Sequence, residues 1–253
     1  MKKRAGRKKH VRANTERITI VLNKPKYPGN VGSIARCARN MGIEKIFVVG
    51  NRDLSVEEMK QMATHFAAGI VEGIQHFDRL DEALANFHYI VGTTSRRGSG
   101  RGPCVPPREM AEMVVDVSQY NDVALLFGSE DTGLSNDDLR FCHLLVTIPT
   151  AKGMKSVNLA QAVMIICYEI FVARAGPLEE FMPRMASSEE LEGMYAQVKT
   201  VLMNIGFLHP QNPDHWMMHI RRFLGRTKLF SKEVKILRGI CRQLDWSMRN
   251  KKT

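Results

Sequence analysis

The chain has 253 residues, 44% of them apolar, a formal net charge of +11 and five cysteines. That length fits one large domain or a main domain with a small one, and the apolar share is ample for a core. An odd set of widely spaced cysteines without a C-x-x-C pair argues against a disulfide framework and a zinc site, and predicts reduced thiols in a cytoplasmic protein.

No stretch is long and apolar enough for a membrane span. The best candidate, "LAQAVMIICYEIFVARAG", is interrupted by Glu169 and Arg174 and reads as a buried helix. The basic N-terminus lacks the apolar segment of a secretory signal. Charge is divided unevenly. Residues 1–17 hold eight Lys/Arg against one Glu, and residues 216–253 hold eleven against two acids, so the stretch between them has a net charge of −5. Positive ends on an acidic middle suit a polyanion such as nucleic acid, gripped through its phosphates. The tail, residues 1–16, has the composition of a disordered segment.

In chain order, five β-branched runs recur: "RITIVL" (17–22), "KIFVV" (45–49), "HYIVG" (88–92), "VALLF" (123–127) and "LLVTI" (144–148). Helical patterns or loops separate them, which predicts an α/β domain with a largely parallel sheet. After the first run, Ile34, Cys37/Ala38 and Met41 form one apolar helix face, and Gly42 reads as the C-cap. After the fifth, Ser156 and Asn158 are N-cap candidates for a helix from Leu159 to about Ala173. Residues 176–188 read as a linker. Beyond it, Ser187 and Glu190 have capping-box spacing before a helical pattern running to Ile205, and Asp214 and Ser231 are cap candidates for two further helices.

The segment "PGNVGSIARCARNMG" raises the question of a nucleotide cradle. It has only Gly29-x-x-Gly32, not G-x-G-x-x-G, and no P-loop pattern occurs anywhere. His215 and His219 form a lone pair at i, i+4, which reads as a surface feature rather than a metal site. Two other polar segments follow strands: "LLFGSEDTGL" (125–134), with an acid in a Gly-rich turn, and "TIPTAKGMKSVNLAQA" (147–162). In open α/β sheets ligands gather at the carboxyl ends of the strands, so the three loops together point to a site.

These three segments, in this order, resemble the SPOUT-class RNA ribose 2′-O-methyltransferases over residues 17–175. The stretches "SSEELEGMYAQVKTVLMNIGFL" and "SKEVKILRGICRQL" resemble the extension of the branch that methylates the ribose at position 32 of the tRNA anticodon loop. The resemblance implies an α/β SPOUT fold with helices on both faces of the sheet, a deep trefoil knot, and a small C-terminal helical domain at 189–253. It also implies a homodimer, tRNA as partner, and S-adenosylmethionine as methyl donor. Cofactor contacts are then expected at Thr93, Thr94, Ser95, Gly128, Ile148, Ser156, Val157, Asn158 and Leu159. Catalytic roles fall on Arg36, Asn30, Glu130 and Ser156, with no metal. RNA contacts are expected at Arg221, Arg222, Arg226, Lys228, Lys235 and Arg238. A guanidinium holds its proton, so a charge clamp on phosphate and developing alkoxide suits Arg36 better than proton acceptance. A ribosomal RNA methyltransferase and a non-catalytic RNA-binding protein are the alternatives.

Overall fold

A computed structural model describes residues 12–95, 104–151, 156–173, 184–209 and 211–250. Of the tail read as disordered, residues 1–16, the first eleven lie outside that range. Its end is held in place: Asn14 N–H donates to Ser118 Oγ at 3.0 Å, and a 3-10 turn at Thr15–Arg17 leads into the first strand.

Seven strands form one parallel sheet. They are β1 (Ile18–Asn23), β2 (Lys45–Val49), β3 (Gln75–Phe77), β4 (Tyr89–Thr93), β5 (Cys104–Val105), β6 (Val123–Phe127) and β7 (Leu144–Val146), in the order β3-β2-β1-β6-β4-β7-β5. All five expected runs are strands within a residue or two at their ends. The short edge strands β3 and β5 had no readable run, because two or three residues carry too little pattern. β1 is buried along its whole length, as a central parallel strand covered on both faces must be.

One face of the sheet packs against α1 (Pro28–Asn40), α2 (Val56–Glu72), α4 (Pro107–Val117) and α6 (Leu159–Val172) around Ile20, Leu22, Val91 and Leu125. The other face, with Val21, Ile90 and Leu126, is covered by the short α3 (Leu80–Leu84) and α5 (Asn136–Leu139). Helices thus lie on both faces, as expected.

Two local expectations change and one holds. The first glycine-containing segment is not a loop before a helix: α1 starts at Pro28, so Asn30 sits in its first turn. Gly32 serves helix packing, since a Cβ there would lie 2.1 Å from the Met59 carbonyl oxygen of α2. Gly42 ends the α1 segment at φ +72°, as a C-cap glycine should.

Three more helices follow: α7 (Ser188–Asn204), α8 (Pro213–Gly225) and α9 (Ser231–Asn250), with their own core of Leu191, Met194, Tyr195, Leu208, Met217 and Val234. Ser187 and Glu190 form the capping box of α7. Asp214 does not cap α8, which has Asn212 as its N-cap with no side-chain cap bond. Nor does the Ser231 hydroxyl cap α9; it donates to Glu190 Oε1 at 2.8 Å and accepts from Arg184 Nη2 at 2.7 Å.

This helical unit is docked on the sheet's amino edge. Met185 N–H donates to buried Asn121 Oδ1 (3.1 Å) just before β6, and Ser188 N–H donates to the Phe87 carbonyl (2.9 Å) just before β4. Met185 is buried in the main core. Burial pushes the Glu190 carboxyl up, but hydrogen bonds from the Ser187 N–H, Arg184 and Ser231 outweigh it and hold the pKa below its ordinary value.

Candidate functional site

At the opposite, carboxyl edge lies a cavity of about 830 Å³. It is built from the ends of β4, β6 and β7 and the start of α6, the place where open α/β sheets hold ligands. Thr93, Thr94, Ser95, Gly128, Ile148, Ser156, Val157 and Leu159 all line it, together with Glu130. Asn158 stands beside them as the N-cap of α6, its Oδ1 accepting from the Ala160 (2.9 Å) and Gln161 (3.4 Å) N–H groups.

The walls are fixed by bonds between segments far apart in sequence. Thr94 N–H donates to the Val146 carbonyl (2.9 Å), and Thr147 Oγ1 donates back to the Thr94 carbonyl (2.8 Å). The turn after β6 doubles back tightly: Gly133, at φ +66°, donates to the Ser129 carbonyl at 2.8 Å. A Cβ on Gly128 would lie 2.2 Å from the Gly133 carbonyl carbon, so only glycine fits there.

The turn projects Glu130 onto the N-terminal end of α1. Its carboxylate accepts from Lys26 N–H (2.9 Å), Tyr27 N–H (3.4 Å) and Asn30 Nδ2 (2.9 Å), while Lys26 Nζ pairs with Asp131. An anion at a helix N-terminus meets both unsatisfied N–H groups and the positive end of the dipole. Asn30 Oδ1 in turn accepts from Asn158 Nδ2 at 3.2 Å. The three polar segments expected from the sequence are therefore joined by one chain, Glu130 to Asn30 to Asn158. Because Glu130 already accepts three hydrogen bonds, its geometry is that of a clamp.

Arg36 does not line the cavity. It is exposed on α1 and has no ion pair or hydrogen-bond partner among the described residues, so its charge is available to a ligand. Thr147, Asp131 and Lys26 belong to the site framework and were not singled out from sequence, although the first two lie in the quoted segments. Only the cross-chain bonds reveal them.

Of the six expected RNA contacts, two are engaged inside the helical unit. Arg221 makes a bidentate pair with Glu192 (2.5 and 2.7 Å) and lies 4.3 Å above the Tyr195 ring. Arg238 Nε donates to Gln197 Oε1 at 3.0 Å. Arg226, Lys228 and Lys235 are exposed and Arg222 is half-buried; Lys228 Nζ lies 5.6 Å from the centroid of the Tyr89 ring. His215 and His219 have ring centroids 4.9 Å apart, and no group of three or more metal-ligating side chains occurs among the described residues.

Residues 17–168 match the SpoU rRNA Methylase family, and residues 189–253 match the C-terminal domain of the tRNA methyltransferase TrmJ. The chain is similar to the tRNA (cytidine/uridine/adenosine-2′-O-)-methyltransferase TrmJ of Pseudomonas aeruginosa, 34% identical, covering 89% of this chain and 92% of that one. It is likewise similar to the tRNA (cytidine/uridine-2′-O-)-methyltransferase TrmJ of Klebsiella pneumoniae, at 33% identity over 93% of this chain and 99% of the relative. The crystal structure of TrmJ from Z. mobilis superposes with a TM-score of 0.77 at 27% identity, covering 90% of this chain and 98% of that one. A parallel sheet with its cavity at the carboxyl edge, a family match over most of that sheet, and relatives about a third identical along nearly their whole length lead to one statement: the chain belongs to the SpoU methylase family of RNA methyltransferases.

Proposed function

We propose that this protein methylates the ribose 2′-hydroxyl of a tRNA, at C or U in position 32 of the anticodon loop, using S-adenosylmethionine. The observation that carries this reading is the Glu130–Asn30–Asn158 chain beside the carboxyl-edge cavity. Relatives named for tRNA cytidine and uridine 2′-O-methylation support it over most of the chain.

The cavity fits the donor. Its volume is within the range of small-molecule sites. Val146, Ile148 and Leu159 offer an apolar wall for a base, and Thr93, Thr94 and Ser95 offer polar groups for the amino-acid end. When bound, the donor would supply an electrophilic methyl group. The protein's part is to position and to shield. The clasp holds three loops in one arrangement, which is how orientation lowers a barrier by roughly 7–11 kcal/mol. Arg36 would clamp the target phosphate and stabilise charge on the attacking ribose oxygen. Ser156 borders the cavity, where its hydroxyl can orient the reacting groups.

In this reading residues 17–175 form the catalytic domain, with the knotted path that the resemblance implies, and 189–253 form an RNA-binding extension on which Arg222, Arg226, Lys228 and Lys235 face the RNA. The protein acts as a homodimer in the cytoplasm. Exposed Met62 and Phe66 on α2 and Tyr168, Phe171 and Val172 on α6, the two helices that flank α1, are the apolar surface a second copy would cover.

Nucleoside mass spectrometry of tRNA and ribosomal RNA from a deletion strain tests the reading. Loss of a 2′-O-methyl cytidine or uridine from tRNA, restored by the intact gene, is the expected result. Loss from ribosomal RNA alone would move the substrate to the other class named by the family, and no loss from either would overturn the proposal.

A further inference from the structure

We propose that the outward face of α8 is a stacking platform for unpaired RNA nucleotides. The inference rests on the RNA reading above and specifies how the helical unit takes hold of its substrate.

At 100° per residue, Arg222, His215, Arg226, His219, Phe223 and Trp216 fall within a single arc of about 120°. Met217, Ile220 and Leu224 fall on the opposite side and pack into the core of the helical unit. The outward arc contains no acid. Its rings are open to solvent: Phe223 is 68% exposed and Trp216 53%, and Phe207, 60% exposed, joins Trp216 with ring centroids 6.4 Å apart. The Trp216 and His219 rings are 6.1 Å apart.

The cations of this face are free of acids. Arg221, on the flank, is matched by Glu192, but Arg222 and Arg226 form no ion pair among the described residues, and Arg222 Nη2 donates only weakly, to Met218 Sδ at 3.5 Å. A protein partner would satisfy the rings without needing cations interleaved among them. A single nucleic-acid strand satisfies both, offering phosphates to the guanidiniums and base faces to the rings. A duplex keeps its base faces stacked inside, so the platform selects loop nucleotides.

The chain has two tryptophans, so Trp246→Phe leaves Trp216 as the sole indole reporter in the full-length protein. The probes are an unpaired pyrimidine oligonucleotide and an RNA duplex of equal length. The expected result is quenching of Trp216 by the single strand and little change with the duplex. Trp216→Ala with Phe223→Ala should weaken single-strand binding roughly tenfold or more while leaving its salt dependence unchanged. Arg222→Gln with Arg226→Gln should flatten the log-affinity against log-salt slope for the single strand by up to about 1.4. Equal binding of duplex and single strand would overturn the proposal, as would aromatic variants that alter only the oligomeric state. S-adenosylmethionine binding, measured by dialysis on the same proteins, separates the two readings. A wild type that fails to bind the donor counts against the proposed activity and leaves the quenching result standing on its own.

Discussion

Asn30 and Glu130, one hundred residues apart in sequence, are joined by a 2.9 Å hydrogen bond from an amide Nδ2 to a carboxylate Oε1. The same Asn30 side chain accepts from Asn158, so a single amide holds the start of α1, the turn after β6 and the cap of α6 in register. Replacing Asn30 with Ala should lower stability by about 1–3 kcal/mol through the lost charge-assisted bond. Turnover should fall on the order of 100-fold as the loops lose their alignment. Glu130→Gln, which keeps an acceptor oxygen, should be milder than Glu130→Ala in single-turnover assays. Complete loss in the Gln variant, with donor binding intact, would instead make Glu130 a proton carrier.

Arg36 is exposed without a partner among the described residues, so its replacement tests function with little effect on the fold. Arg36→Lys should retain RNA affinity and lose most turnover, because a point charge cannot reproduce the planar fork. Filter binding beside single-turnover methylation reads the two effects separately, and a near-normal rate would remove the clamp from the mechanism.

Gly32 and Gly69 make a matched pair. A Cβ at Gly32 would meet the Met59 carbonyl oxygen at 2.1 Å, whereas one at Gly69 meets nothing within 4 Å. Thermal denaturation of Gly32→Ala should show a loss of about 1–3 kcal/mol as α1 and α2 are forced apart. Gly69→Ala, inside helix α2, should be neutral or stabilising by about 0.4–1 kcal/mol.

Buried Asn121 joins the helical unit to the sheet by accepting from Met185 N–H at 3.1 Å, while its own Nδ2 donates to the Val117 carbonyl at 3.4 Å. Asn121→Ala orphans a buried donor, at a cost of about 1–3 kcal/mol. Amide hydrogen exchange should quicken at residues 184–190 and stay slow in β1. Unchanged protection at the joint would count against this anchor.

His143 is half-buried, stacks on Tyr89 with centroids 5.5 Å apart, and accepts from Ile90 N–H through Nδ1 at 3.1 Å. Burial first, and the nearby His88 second, push its pKa down to about 4. The folded-state value is below the unfolded one, so acid favours the unfolded chain. Stability should fall as the pH drops from about 6.5 towards 4, by at most about 1.4 kcal/mol per unit. His88, also lowered by burial although Asp122 opposes it, adds in the same direction. His143→Gln should flatten the dependence of Tm on pH across that window.

Much of this was legible in one dimension. Ile18–Asn23 and Val123–Phe127 announce themselves as strands because parallel strands buried on both faces are runs of β-branched and aliphatic residues. The α7 capping box is a contact three residues long, so Ser187 and Glu190 reveal it by spacing alone. Composition likewise divided the charge, and the three polar segments after strands marked the edge where the cavity lies.

What the sequence determined by itself was therefore whatever depends on near neighbours: strand and helix periodicity, the caps at Gly42 and Ser187, and which segments carry chemistry. Only the tertiary structure decided that Gly32 exists for Met59, that Arg221 belongs to Glu192 while Arg222 does not, and that the helical unit sits across the sheet from the cavity. Periodicity reports which face of an element is buried, but not what it is buried against. Partners 29, 64 or 100 residues away are chosen by packing and hydrogen-bond satisfaction once the chain has closed on itself.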